Sequence, residues 1–291
     1  MPKPEWLAIR PASTKKYDDV KNRIKELGLH TVCVEAHCPN ITECWSSGTA
    51  TFMVLGDVCT RGCHFCAVRK AQNGINADRM EPEKLAQLIS EWKLDYVVIT
   101  SVCRDDLEDQ GSSHFAECIL AIKRAAPSTL VEVLIPDFRN DDVALGRIAE
   151  AMPDVIGHNI ETVRRLSPVI RDRRASYDQS LSVLGKVKAM DKRIYTKSSI
   201  MLGLGETNDE ITEAMEDLRD NDVDFLAIGQ YLRPLSNGFY AEVKEYVTPE
   251  RFEALRKLAI ELGFKYCAAG PFVRSSYRAG EHFVKAMVQE K

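Results

Sequence analysis

The sequence predicts an α/β protein, a partial (β/α)6 TIM-like barrel with a cysteine-rich N-terminal extension and a C-terminal segment. Three observations lead there. From residue 51 onward, short apolar runs alternate with segments of helical period. The runs are apolar throughout, as in strands of a parallel sheet covered by helices on both faces. Polar residues gather where the runs stop, and in a barrel those strand ends share the rim on which active sites sit. Six βα units in succession favour the barrel over its alternative, a doubly wound sheet. The divisions are 1–50 for the extension, 51–264 for the barrel and 265–291 for the C-terminal segment.

Residues 1–50 are rich in charge, Pro, His and Cys. Their predicted helix covers Lys15–Leu27 and stops at Gly28, which suits the left-handed position after a helix. The predicted strands are Thr51–Leu55, Tyr96–Thr100, Leu130–Ile135, Val155–Ile160, Ile194–Leu202 and Phe225–Gly229, with a weaker one at Lys265–Ala268. Between them lie helices at Glu83–Trp92, Ser113–Ala125, Asp141–Met152, Tyr177–Met190, Asp209–Asn221 and Pro249–Leu262. In the first, Leu85, Leu88, Ile89 and Trp92 recur at i, i+3, i+4, i+7 and form one apolar stripe. The rim then collects Thr100 and Ser101, then His158, Asn159 and Glu161, and then Lys197, Ser198 and Ser199. Gly203, Gly205 and Glu206 follow, and last Gln230 and Arg233. Polar turns at strand ends account for part of this set, but an Arg, a Lys and a Glu on one rim ask for more.

The 291 residues are 45% apolar and 28% charged, which excludes wholesale disorder and fibrous architectures. Lys and Arg number 39 against 43 acidic residues, a net charge of -4, so the chain lacks the basic footprint of a nucleic-acid binder. The N-terminus has no apolar signal region and no run of 18 apolar residues occurs, so a cytoplasmic protein without a membrane partner is expected. Nine cysteines, an odd count without a signal peptide, argue for reduced thiols in a reducing compartment.

Six of the nine fall between Cys33 and Cys66. Cys59, Cys63 and Cys66, spaced C-x3-C-x2-C just after the first predicted strand, can grip three corners of an iron–sulfur cube and leave one iron open. A structural zinc would want four protein ligands, commonly in paired C-x2-C knuckles. Cys33, Cys38 and Cys44, spaced C-x4-C-x5-C, offer three more thiolates. His37 could complete a zinc site with them, although its adjacency to Cys38 strains ligation of one tetrahedral ion. Two separate three-thiolate sets point to two [4Fe-4S] clusters. Cys103, Cys118 and Cys267 read as free thiols, the first buried and the others packed as small hydrophobes.

The C-x3-C-x2-C loop, with Phe65 before Cys66 and six βα units behind it, resembles the radical S-adenosylmethionine superfamily. With C-x4-C-x5-C upstream, the chain is similar to the lipoyl synthase family. Flanking words carry the resemblance: Leu29 to Cys33, Cys38-Pro39-Asn40 and Glu43-Cys44-Trp45. Further along come Arg104-Asp105-Asp106-Leu107, Leu134 to Phe138, and His158 to Thr162. Leu202 to Thr207, Gln230 to Pro234 and Ala269-Gly270-Pro271 follow, and the word Arg274-Ser275-Ser276-Tyr277 closes the series. The words run in order over roughly residues 27 to 280. The segment Asp109-Gln110-Gly111-Ser112 departs from the Asp-Gly-Gly of the family and puts its loop geometry in doubt.

The resemblance implies insertion of two sulfur atoms at C6 and C8 of an octanoyl chain amide-linked to a lysine of a lipoyl carrier domain. Those carbons carry no acidic proton, so a radical is required. S-adenosylmethionine and the cluster on Cys59, Cys63 and Cys66 would generate it. The auxiliary cluster on Cys33, Cys38 and Cys44 would donate both sulfurs, with Ser276, or less favourably Ser275, as its fourth ligand. Lys197 or Arg233 would pair with the cofactor carboxylate. Gly203 and Gly205 would let backbone approach its adenine or ribose. Thr100, Asn159 and Glu161 would hold polar groups of cofactor or substrate, although Glu161 also reads as a carboxylate at a helix N-terminus. Implied partners are octanoylated carrier domains (2-oxoacid dehydrogenase E2 subunits and the glycine cleavage H protein). An electron donor such as ferredoxin or flavodoxin, and an iron–sulfur carrier for cluster repair, complete the set. Two rival readings are another radical enzyme, lacking the paired upstream and C-terminal motifs, and an iron–sulfur electron carrier or zinc module.

Overall fold

The structure is a computed structural model that describes residues 3–8, 15–47, 50–235 and 238–276. The extension carries α1 (Lys15–Leu27), the short strand β1 (His30–Thr31), α2 (Val32–Glu35) and α3 (Ile41–Ser47). The barrel follows with β2 (Thr51–Val54), then the small strands β3 (Val58–Cys59) and β4 (Arg69–Lys70), and α4 (Glu81–Trp92). Next come β5 (Tyr96–Ser101), α5 (Ser112–Ala125), β6 (Leu130–Leu134), α6 (Asp142–Glu150), β7 (Val155–Gly157) and α7 (Ser167–Ile170). The chain continues through α8 (Tyr177–Met190), β8 (Tyr195–Leu202), α9 (Asn208–Asp220), β9 (Phe225–Gln230), α10 (Pro249–Glu261) and β10 (Tyr266–Gly270).

One sheet has the order β1-β2-β5-β6-β7-β8-β9-β10. Every pairing from β2 to β10 is parallel, and β1 alone runs antiparallel, against β2. Spatial order follows chain order without a reversal, so the partial barrel holds and the doubly wound alternative, which requires a switch point, does not. The weak strand is a full member: β10 pairs with β9 over five positions.

Two layers of core hold the sheet. Leu85, Leu88 and Ile89 of α4 are fully buried against the outer face of β2 and β5, each worth about 1.5–3 kcal/mol. Pro82 stands in the first turn of α4, where its missing N–H costs nothing, and moves the start back to Glu81. Thr207 and Glu210 close a capping box at the start of α9. Inside the barrel, Tyr96, Val98, Val155, Tyr195 and Phe225 pack together and plug the N-terminal end. The opposite rim is left for polar chemistry. Among the described residues, no helix is long and apolar enough to cross a membrane.

Candidate active site

The cysteine loop at the rim is stapled at both ends. Val58–Cys59 pairs in parallel with Arg69–Lys70, and the Lys70 ammonium donates to Cys66 O at 2.5 Å. Within the loop, Arg61 is buried and binds two carboxylates at once. Its Nε and Nη2 lie 2.9 Å from Asp105, and its Nη1 and Nη2 lie 2.5 and 2.8 Å from Asp137. Burial opposes ionisation of both acids, but the guanidinium wins and holds each below the usual carboxylate range. The words around Asp105 and Asp137 were visible in the sequence, but Arg61, which joins them, was not singled out. Asp172 accepts from Gly62 N at 2.7 Å, and its own N–H donates to Cys63 Sγ at 3.3 Å. Arg61 N donates to Cys59 Sγ at 3.4 Å.

The three thiols of this loop sense one another's charge. Burial pushes Cys63 up to about 11 and Cys66 up to about 12, and their neighbouring sulfurs add to both shifts. Cys59 goes the other way, to about 6, chiefly through a hydrogen bond from Cys103. Cys103 is therefore a free thiol, as expected, but half-buried at the site and not set apart in the core. Three soft sulfurs with backbone donors aimed at two of them suit an iron–sulfur cube.

The second triad lies on the extension. Thr31 caps α2, Cys33 sits buried within it, and Cys44 N donates to Asn40 O at 2.9 Å in α3. Burial lifts Cys33 to about 11 and also raises Cys38, on which Arg274 acts in the opposite sense. The buried indole N–H of Trp45 faces the Cys33 sulfur and opposes the effect of burial on it. A buried donor aimed at this sulfur suits a thiolate that ligates a cluster. A tetrahedral zinc, with Zn–S near 2.3 Å, would draw its sulfurs to within about 3.8 Å of each other. Among the described residues, the three-donor sets that close to within 4.8 Å are Glu81–His114–Cys118 and His30–Glu35–Asp57, and neither cysteine triad is one. In the first set, Glu81 is already engaged by Leu55 N at 2.9 Å and His114 Nε2 at 2.6 Å.

The C-terminal segment joins the two triads. Asn40 Nδ2 donates to Phe272 O at 2.7 Å, and Ser275 Oγ donates to Asn159 Oδ1 at 3.1 Å. A Cβ on Gly229 would fall far inside contact with Val273 O, so only glycine lets the segment cross the end of β9. Ser276 is the last described residue, and Tyr277 of the same word lies outside the described residues.

The predicted rim residues divide. Asn159 Nδ2 donates to Glu161 Oε1 at 3.2 Å. Glu161 takes a left-handed conformation at φ 68, and its N–H donates to Ser199 O at 3.1 Å. Burial raises its carboxyl pKa, and its charge acts on Cys63. The next helix begins only at Ser167, so Glu161 is not a helix-terminal carboxylate. Thr100, near the end of β5, donates to Leu134 O at 2.9 Å. Arg233 lies just past β9 and acts electrostatically on Tyr231 and Glu242. Gly205 has open space beside it, with only Lys244 Cγ near at 3.7 Å.

One expectation is corrected. Lys197 is not at the rim: it is the third residue of β8, in register with Gly157 and Phe225. Its ammonium pairs with Glu132 Oε1 at 2.8 Å inside the barrel, and Tyr96 OH donates to the other Glu132 oxygen at 2.5 Å. Gly203 is glycine for a protein reason. The space its Cβ would take is filled by Gln230 Nε2 and Glu245 O. The departure at Gln110 is absorbed by left-handed backbone at Gln110 and Gly111, with Gln110 Nε2 donating to Phe138 O at 3.0 Å.

Below the rim runs a directed chain of hydrogen bonds. Arg171 Nη1 donates to Ser180 Oγ at 2.8 Å, which leaves that hydroxyl to donate to His158 Nε2 at 2.9 Å. His158 Nδ1 then donates to Ile135 O at 2.9 Å. The network assigns the neutral Nδ1–H tautomer, and burial, aided by Arg171, depresses the imidazole to about 4.

The Radical SAM superfamily profile matches residues 53–218. The chain is 52% identical over 289 residues to a protein named lipoyl synthase from Anaeromyxobacter dehalogenans, covering 99% of this chain and 97% of that one. It is 49% identical to the apicoplast lipoyl synthase of Toxoplasma gondii, and there spans 54% of the relative's length. The crystal structure of methylornithine synthase (PylB) superposes with a TM-score of 0.55 at 14% identity, covering 82% of this chain and 81% of that one. That likeness speaks to the fold alone.

Proposed function

The chain belongs to the lipoyl synthase family of the radical SAM superfamily, and from that premise we propose that it inserts two sulfur atoms at C6 and C8 of a protein-bound octanoyl-lysine. The observation that carries this reading is the junction of two separate cysteine triads at one rim by the 271–276 segment. An electron carrier has no use for that junction.

In this reading Cys59, Cys63 and Cys66 hold a [4Fe-4S] cluster. Bound there together with S-adenosylmethionine, that group would supply one-electron chemistry that opens unactivated C–H bonds. The protein's part is to hold and enclose. The Arg61–Asp105–Asp137 lock fixes the loop, and Glu161 and Asn159 present polar oxygens and an amide beside Cys63. Arg233, just past β9, is proposed to pair with the cofactor carboxylate, while Lys197 is committed to Glu132. Thr100 and Gly205 line the same rim.

Cys33, Cys38 and Cys44 would hold the second cluster, which would serve as the sulfur source. Ser276 is its fourth ligand, a reading supported by the engagement of the Ser275 hydroxyl with Asn159. A hard oxygen on iron is the weaker link in a thiolate site and suits a cluster that must come apart. The substrate side is an octanoylated lipoyl carrier domain, with a ferredoxin or flavodoxin as electron donor and an iron–sulfur carrier for repair. The cytoplasm is the proposed compartment.

The test is anaerobic incubation of reconstituted protein with S-adenosylmethionine, dithionite and an octanoyl-lysyl peptide. The expected product gains two sulfurs and is read as the dithiol under these reducing conditions. Formation of 5′-deoxyadenosine with an unchanged peptide would keep the radical machinery and reject the substrate. Neither product from protein holding both clusters would reject the enzyme reading.

A further inference from the structure

The chain that leaves α7 grips the cysteine loop along its backbone and at one sulfur. His64 N donates to Ile170 O at 2.8 Å, and Gly62 N donates to Asp172 Oδ2 at 2.7 Å. Arg174 Nη2 donates to Thr60 O at 2.6 Å. Between these contacts, the Asp172 N–H donates to the Cys63 sulfur at 3.3 Å. That amide is held by bonds that do not involve the sulfur. Before it, Arg171 N donates to Ser167 O at 2.9 Å, and the Arg171 guanidinium is buried on Ser176 O at 3.2 Å and Ser180 Oγ at 2.8 Å. After it, Arg174 grips the Asp172 carboxylate through Nε at 2.8 Å and Nη2 at 3.0 Å. The carboxylate is spanned between Gly62 and Arg174, so the protein itself aims the N–H at Cys63.

A sulfur that ligates iron carries no proton and can only accept. A hydrogen bond to it offsets the negative charge gained on reduction and favours the reduced cluster. We propose that Asp172 is a positioning residue of the radical-generating cluster: its carboxylate holds Gly62, its own N–H donates to the Cys63 sulfur, and the bond raises the cluster's reduction potential. The inference rests on the assignment of Cys59, Cys63 and Cys66 as cluster ligands.

The experiment uses the anaerobically reconstituted holoenzyme and follows the EPR signal of the reduced cluster that changes on adding S-adenosylmethionine. Pulsed EPR of enzyme made by cell-free synthesis with heavy-nitrogen aspartate is expected to show a coupling to that nitrogen. The coupling should be absent from Asp172→Asn made the same way, since the replaced residue carries no label. Potentiometric titration then compares Asp172→Asn with Asp172→Ala. Both lose the same charge, but only the Asn variant keeps an acceptor for Gly62, so the Ala midpoint is expected at the more negative potential. An Ala midpoint equal to or above that of Asn would overturn the proposal. So would a missing coupling in the parent enzyme, or one that survives in Asp172→Asn. The coupling is read on the parent, so it decides even if the Ala variant does not fold. If the parent showed no cofactor-responsive signal, the cluster assignment itself would fall and this proposal with it.

Discussion

Arg61 and Asp137 form a bidentate pair, 2.5 and 2.8 Å across its two contacts, with side-chain exposures of 4% and 1%. The same guanidinium holds Asp105. A buried charge stripped of its partner costs about 3–5 kcal/mol, and here two carboxylates would be stripped together. Arg61→Met is therefore expected to lower stability by at least that amount and to reduce the iron retained by the Cys59–Cys66 loop. A urea melt together with an iron assay checks this. Parent-like values in both would remove the lock from the account.

His158 makes the fold sensitive to mild acid. Its folded pKa of about 4 lies below the ordinary 6.5, so between those values the unfolded chain binds a proton that the folded chain refuses. Stability is full above about pH 6.5 and falls as pH drops toward 4, by on the order of 3 kcal/mol. His158→Gln should be less stable than the parent at pH 7.5 and show a flatter decline by pH 5. Equal slopes in paired urea melts would count against it.

Lys197 and Glu132 separate stability from cofactor binding. Lys197→Met leaves Glu132 charged and alone in the barrel and should cost about 3–5 kcal/mol. Lys197→Met combined with Glu132→Leu should recover most of that loss and still bind S-adenosylmethionine. Arg233→Ala should fold normally and bind it poorly. Equilibrium dialysis on the folded variants decides the matter, and loss of binding in the double variant alone would restore Lys197 to the cofactor site.

Gly229→Ala tests the junction of the triads. A methyl group there collides with Val273 O and displaces the segment that carries Ser275 and Ser276. Iron is expected to fall from about eight to about four per chain as the auxiliary cluster is lost, with cleavage of S-adenosylmethionine retained. Loss of both clusters together would show that the residue serves the barrel as a whole.

The barrel was legible because its strands are uniformly apolar and its helices periodic; the Tyr177–Met190 helix matches residue for residue. Both proposed triads are read from spacing alone. The two-residue strands at Val58–Cys59 and Arg69–Lys70 are too short to carry a period. Lys197 was misplaced because an ionisable residue in an apolar strand reads as the end of the run, whereas Glu132, 65 residues away in sequence, makes its burial possible. Arg61 was missed for the same reason. Its partners lie 44 and 76 residues along the chain, and only folding brings them together.

The central claim is that this chain spends its own second cluster on the substrate. The most direct measurement is a single anaerobic turnover of an octanoyl-lysyl peptide by enzyme whose clusters were rebuilt with heavy-isotope sulfide and then freed of excess sulfide. The account predicts a product carrying two heavy sulfur atoms, and none when Cys33, Cys38 and Cys44 are replaced by alanine. A product with light sulfur only, or sulfur insertion by the alanine variant, would contradict it.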